Sequence, residues 1–285
     1  MSTVQTVREY PSIPRAADAP AGLFEEGHLW VQEMVDGGTL RFQLQAAGFL
    51  QFGDQTTVYD DHDAVPEPYR PAVRHVRDQL DRDGLRTAVD DVEQVVFFGI
   101  STHHRRIDYD WGRLPPFLGF DIWHSGEFLT PGAVHSVFER LGLQPVNAVE
   151  RELPARDFDP DSYTVPDSAW YDGPARGVVV RNKRGDRASL RHHDFRAETA
   201  NNPTEIPVEE LTARHTTPGR LERLATALER QDSPVTVDTL RRRVAEQIAR
   251  EHAGELPDPA EPLGPEAAHS TVRRRVREFL TERYR

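Results

Sequence analysis

Apolar and polar positions divide the chain into two unlike parts. Through roughly the first two thirds the apolar residues come in short runs bounded by turn residues, and in the last third they recur at three- and four-residue intervals. Runs over 28–35, 39–44 and 49–52 predict strands, joined by turns at Asp36-Gly37-Gly38 and Ala47-Gly48 into an antiparallel start. The runs 95–99, 117–123 and 177–181 are too short for helices and rich in β-branched or aromatic residues, which predicts buried strands. Between them, Val73, Val76 and Leu80 stand at helical spacing and predict one surface helix over 71–85. A second helix is expected over 133–141, and the proline- and tyrosine-bearing stretch 157–174 reads as a loop.

After about Phe195 helices take over. Thr217-Pro218 is a cap followed by proline at the first helical position, with Leu221, Leu224 and Leu228 forming the buried stripe behind it. Ser233-Pro234 opens a second helix that carries Val237, Leu240, Val244 and Ile248 on one face. The proline-rich residues 254–265 read as a linker. A last helix from His269 turns Val272, Val276, Phe279 and Leu280 inward and Arg273, Arg274, Arg275 and Arg277 outward, a face that is solvated or meets nucleic acid. The expectation is an α+β fold: residues 1–200 form antiparallel sheets with flanking helices, and residues 201–285 form a small helical domain.

Composition narrows the chemistry. The 285 residues contain no cysteine, which excludes disulfides, thiolate zinc sites and cysteine nucleophiles. The opening segment is polar and no run is long enough to span a bilayer, so a cytoplasmic protein with no membrane partner is expected. A net charge of −12 argues against a uniformly basic nucleic-acid binder, although local arginine clusters remain able to hold phosphate. Lys183 is the only lysine, and such replacement of lysine by arginine in an acidic chain resembles proteins of salt-loving archaea. In strong salt, attraction between distant charges is screened, and ligands must be held by close contacts.

Five segments occur in a telling order: Tyr10-Pro11-Ser12-Ile13-Pro14, the run from Glu33 to Phe42, Phe97-Phe98-Gly99, Phe117-Leu118-Gly119-Phe120-Asp121-Ile122, and Gly177-Val178-Val179-Val180-Arg181-Asn182-Lys183. In that order and at those intervals the chain resembles the RNA ligase family of ATP-dependent covalent nucleotidyltransferases, across its first two thirds. The resemblance implies a ligase-type nucleotidyltransferase domain. It also implies a lysine nucleophile in the first motif, where this chain has Met34. A thioether offers no amine lone pair for attack on the α-phosphate of ATP.

Other reactive letters of the family differ as well. Thr39 stands where asparagine is usual and Gln55 where arginine is expected. Ile100 and Arg176 replace the two acidic residues that help to hold sugar and magnesium. Ser189 and Arg191 replace the two lysines that stabilise charge on the α-phosphate. A methionine that mimics lysine in shape is also what an experimenter would install to trap nucleotide, but that device needs one exchange and several are present.

The resemblance therefore implies a ligase fold without ligase chemistry, and no catalytic residue is expected. Glu33, Arg41, Phe120, Arg176, Lys183 and Arg191 are the expected nucleotide- or phosphate-binding residues. Arg176 and Arg191 preserve the positive sign of the pocket, and a planar guanidinium grips phosphate through paired hydrogen bonds without a metal. The plainer alternative has Arg176 facing solvent or paired with a carboxylate. Phe120 is placed to serve the adenine or simply the core, Asp121 and Glu33 are candidates to touch nucleotide, and Asp36-Gly37-Gly38 is expected to form a hairpin turn.

The pairs His103-His104 and His192-His193 are expected at the surface or in loops. Neighbours on a strand face opposite ways, so a shared metal ion is not expected. Three functions fit: a non-catalytic binder of RNA 5′-phosphate ends, nucleotide or a partner protein such as an active ligase; an active ligase with an unusual nucleophile such as Lys183, which alone would need ATP and magnesium; or a structural or regulatory subunit with a closed cleft.

Overall fold

A computed structural model describes residues 7–61, 63–195, 206–264 and 266–285. Among the described residues, ten strands form two antiparallel sheets, and seven α-helices flank and follow them. The strands are β1 (His28–Glu33), β2 (Gly38–Leu44), β3 (Leu50–Gly53), β4 (Val58–Tyr59), β5 (Val95–Ser101), β6 (Phe117–His124), β7 (Glu127–Phe128), β8 (Ala148–Pro154), β9 (Gly177–Asn182) and β10 (Arg187–Arg191). One sheet has four strands in the order β10-β9-β1-β8, and the other has six in the order β4-β3-β2-β5-β6-β7.

The period of two decides what each sheet buries. In the six-stranded sheet Leu40, Phe42, Leu44 and Phe97 point into the largest core, against α1 (Arg70–Gln79) and α3 (Pro131–Arg140). In the four-stranded sheet Leu29, Val31, Val178, Val180 and Ala188 pack on Leu23 and Phe158. The alternate residues of both sheets are left to line whatever lies between them.

The expected hairpin between residues 28–35 and 39–44 does not form. β1 pairs with β8 and β9, whereas β2 pairs with β3 and β5, so Asp36-Gly37-Gly38 carries the chain from one sheet to the other. Gly37 has φ 152°, and a Cβ there would stand 2.4 Å from the Ser101 carbonyl oxygen. Only glycine fits that passage. The single helix expected over 71–85 breaks in two. Leu80 turns extended, and Asp81 caps α2 (Arg82–Ala88) by accepting from the Gly84 N–H. The stretch 157–174 contains no strand or α-helix, as read.

The helical part consists of α4 (Val208–His215), α5 (Pro218–Arg230), α6 (Val237–His252) and α7 (Glu266–Arg283). Leu221, Leu228, Leu240, Val244, Ile248, Val272 and Val276 form its own core. The proposed boundary at residues 200 and 201 lies outside the described residues. The segment read as a linker is packed: Leu256 and Leu263 are buried in the helical core.

Polar contacts dock this part on the sheets. The buried Arg250 of α6 donates to the Thr102 carbonyl at 2.9 Å, the Thr102 hydroxyl at 3.0 Å and the Leu114 carbonyl at 2.7 Å. Glu246, almost fully buried, pairs with Arg74 of α1. Among the described residues, no helix is long and apolar enough to cross a membrane.

Acid should loosen this seam. Burial and the charges of Arg105 and Arg250 push His103 down to about 3, and burial with Arg250 and Arg74 pushes His75 down to about 4. Both rings are therefore neutral in the fold, while the unfolded chain takes up protons near pH 6.5. Below that pH the unfolded state binds more protons, so stability is full above about 6.5 and falls as pH drops towards 3. Thermal melts at pH 7.5 and pH 5 should show the loss, and a His75→Gln/His103→Gln double variant should show less of it. Equal losses in both proteins would remove these histidines from the explanation.

Candidate functional site

The two sheets diverge where the chain crosses at residues 34–38, and a cleft of about 460 Å³ opens between them. Its walls follow from strand alternation. Gln32 and Met34 continue one face of β1, with Val179 and Arg181 beside them on β9. Thr39 and Ile100 face them from the other sheet, where they are direct partners across the β2–β5 ladder. The amino-terminal segment from Tyr10 to Ile13 closes one side, and Gln55 donates to the Tyr10 carbonyl at 3.0 Å.

Sequence-identified residues thus meet in one place: Glu33, Met34, Thr39, Gln55, Ile100, Phe120 and Arg176 all line the cleft. Four others do not. Arg41 shares a strand face with Thr39 but is wholly buried under the amino-terminal segment, donating to the Val7 carbonyl at 2.6 Å. Lys183 sits in the β9–β10 turn and pairs with Glu152 at 2.7 Å. Ser189 donates to the Pro14 carbonyl at 3.1 Å. Arg191 lies outside the lining, although register sets it opposite Gly177, whose carbonyl accepts the Met34 N–H at 2.9 Å. Burial first, and then the nearby charges of Arg191 and Arg105, hold the pKa of Arg176 below the usual arginine value.

Carboxylates near the cleft are engaged by the protein. Glu33 accepts from the Ser168 hydroxyl at 2.6 Å and from the Asn147 side chain and Ala169 N–H at 3.2 Å each, so it anchors the 157–174 loop. Asp36 accepts from the Arg106 N–H at 2.8 Å and lies 3.2 Å from Arg176. This is the carboxylate partner allowed for Arg176 in the plainer reading. It does not remove the arginine from the cleft, and the Arg176 Nε is buried with no hydrogen-bond partner among the described residues.

Behind the cleft lies a network that sequence reasoning missed. Asp121 of β6, wholly buried, accepts from Arg181 of β9 at 2.9 Å, Arg187 of β10 at 2.7 Å and the Tyr10 hydroxyl at 2.8 Å. Arg187 also donates to the Tyr10 hydroxyl, and Arg181 to the Phe120 carbonyl at 2.7 Å. Asp121 belongs to one sheet and its arginines to the other, so a single carboxylate clamps the two together. Arg181 is 2% exposed yet lines the cleft, and its Nε also lacks a partner among the described residues. The available signal was an arginine inside an apolar strand, which requires a buried counter-charge.

The histidine expectation needs correction. His103 and His104 are buried, packed near the helical part rather than at the surface. His192 and His193 lie beyond the end of β10, where strand alternation no longer applies, and their rings sit 4.1 Å apart.

No protein-family profile and no curated protein sequence matches the chain. Solved structures do. The Naegleria gruberi RNA ligase with PPi is 15% identical, with a TM-score of 0.51 over 67% of this chain and 57% of that one. A lysine-to-alanine mutant of the same ligase with ATP and Mn gives 15% and 0.50 over 67% and 58%. An archaeal ATP-dependent RNA ligase, also 15% identical, covers 96% of this chain and 63% of its own with a TM-score of 0.48. The chain spans about three fifths of the length of these structures. At such identity the likeness speaks to the fold, which is that of an RNA-ligase-like nucleotidyltransferase.

Proposed function

We propose that this chain uses its RNA-ligase-like fold to bind a phosphorylated ligand, nucleotide or the 5′-phosphate end of RNA, without forming a covalent adenylate. The observation that carries the reading is the pair of partnerless Nε–H donors, on Arg176 and Arg181, at the wall of a cleft whose nucleophile position is Met34. Buried donors without acceptors are costly, and an anion accepting from either of them would lessen that cost.

Guanidinium groups bind phosphate directly, so the ligand needs no bridging magnesium. Ile100 and Arg176 supply no carboxylate for such an ion, Glu33 and Asp121 are held by protein donors, and Asp36 Oδ1, which accepts no hydrogen bond among the described residues, is ion-paired with Arg176 at 3.2 Å. Arg191 adds positive potential behind Arg176. A partner protein such as an active ligase would then receive or deliver the bound end. ATP and magnesium enter only if the chain proves to be an active ligase.

The test is fluorescence binding of 5′-phosphorylated and 5′-hydroxyl RNA of one sequence, and of AMP, in EDTA. Phosphorylated RNA should bind more tightly than the hydroxyl form and be indifferent to EDTA. Arg176→Ala should weaken it roughly 10- to 100-fold, the value of a charged hydrogen bond of about 1.5–3 kcal/mol. Unchanged affinity in that variant, or collapse of binding in EDTA, would overturn the reading.

A further inference from the structure

The ends of α4 and α6 meet in a cluster that the cleft does not use. His215, the last residue of α4, and His252, the last of α6, turn their Nε2 atoms towards each other at 3.2 Å. Glu251 brings a carboxylate oxygen to 3.7 Å from the His215 Nε2. All three ligand atoms lie within 4.8 Å of one another.

We propose that His215, His252 and Glu251 bind a divalent transition-metal ion of the zinc type, joining the carboxyl ends of two helices. Four arguments support the assignment. At zinc–nitrogen distances of about 2.0–2.1 Å, tetrahedral ligand atoms stand roughly 3.3 Å apart, close to the 3.2 and 3.7 Å by which His252 and Glu251 approach the His215 Nε2. Two imidazoles and a carboxylate are a donor set that zinc accepts. Two helix carboxyl termini converge on the spot, and their unpaired carbonyl dipoles favour positive charge. The outer contacts fit as well: His252 Nδ1 lies 2.7 Å from the Glu255 carboxylate, the arrangement that directs the other ring nitrogen at a metal.

A third imidazole, which packs edge-on against Trp111, stands beside Gly254. His104 is 7% exposed, and its Nδ1 has no hydrogen-bond partner among the described residues. Its main-chain N–H donates to the Arg250 carbonyl at 2.7 Å, and a Cβ on Gly254, two residues past His252, would stand 3.1 Å from that Nδ1.

A cation already occupies part of this place. Arg220 lies 2.9 Å from His215 Nδ1 and 3.0 Å from a Glu251 oxygen. Since arginine can only donate, His215 Nδ1 accepts, its proton sits on Nε2 and points at His252 Nε2, and His252 Nδ1–H donates to Glu255. Metal binding requires the His215 proton to move to Nδ1 and Arg220 to withdraw. Its side chain, 31% exposed, has solvent into which to move.

The test is titration of the full chain, first dialysed against chelator, with zinc by calorimetry and with cobalt(II) by visible absorption. One ion per chain should bind, and the cobalt spectrum should show the intense bands of four-coordinate geometry. His215→Gln, His252→Gln and Glu251→Gln should each weaken zinc by more than the roughly 10- to 100-fold expected for the outer-contact variant Glu255→Gln. Removing His192 and His193, which with Asp194 form the other such group among the described residues, should leave binding at His215, His252 and Glu251 unchanged. Far-UV circular dichroism identifies any variant that fails to fold, and Glu251→Gln, which alters one atom, is the arm least exposed to that failure. Absence of zinc binding in the parent chain, or equal binding in Glu251→Gln and the parent, would overturn the proposal. It is independent of the cleft reading.

Discussion

Replacing Asp121 by alanine will cost about 3–5 kcal/mol of folding stability, the largest loss expected from a single exchange in this molecule. The aspartate is wholly buried and is the common acceptor for Arg181, Arg187 and Tyr10. With it gone, two guanidinium groups remain in a low-dielectric seam with no counter-charge, and arginine cannot shed its proton to relieve the cost. Urea denaturation should show a lower midpoint with an unchanged slope. Combining Asp121→Ala with Arg187→Met should recover part of the loss, because one uncompensated charge then leaves with its partner. A loss below about 1 kcal/mol would mean that water or a relaxed backbone takes over the clamp, and the account of how the sheets are joined would fail.

Incubated with ATP and magnesium, the protein will carry no adenylate, and Met34→Lys alone will not restore one. The thioether supplies no nucleophile, and the chain's single lysine is paired with Glu152 in the β9–β10 turn rather than lining the cleft. Restoring the amine returns one component. Thr39, Gln55 and Ile100 remain in the cleft wall, and Arg176 brings positive charge where a metal would require an acid. Each missing charge-stabilising donor commonly costs two to three powers of ten in rate, so the lysine variant should stay below detection. Intact-mass spectrometry decides the matter: an adenylate adduct on the parent chain would end the non-catalytic reading.

How much of this was legible beforehand depended on whether a residue's environment is set locally. Apolar runs located the central strands, because burial on a sheet face leaves a direct mark on composition. β8 escaped, since Glu150, Arg151 and Glu152 interrupt it and its apolar face is only half-buried. The turn at Asp36-Gly37-Gly38 was placed correctly and paired wrongly: turn residues state where a chain bends, and the partner of the next strand is decided by distant segments. Order in sequence was enough to gather Met34, Thr39, Gln55, Ile100 and Arg176 into one cleft. It was not enough for Arg41, whose neighbour Thr39 is in the wall while Arg41 itself is roofed by Val7. Asp121 was read as a ligand contact because a carboxylate in a motif invites that role; its true partners lie 60 to 111 positions away.

The roof over Arg41 joins two properties that are usually separable. Residues 7–13 cover that guanidinium, supply one side of the cleft and, through Tyr10, complete the clamp around Asp121. Trimming the chain to begin after Ile13 would therefore do more than shorten a tail. It would unroof a sequestered cation, widen the mouth of the cleft and leave the inter-sheet latch one hydroxyl short, so the shape of the cleft and the cohesion of the two sheets would change together.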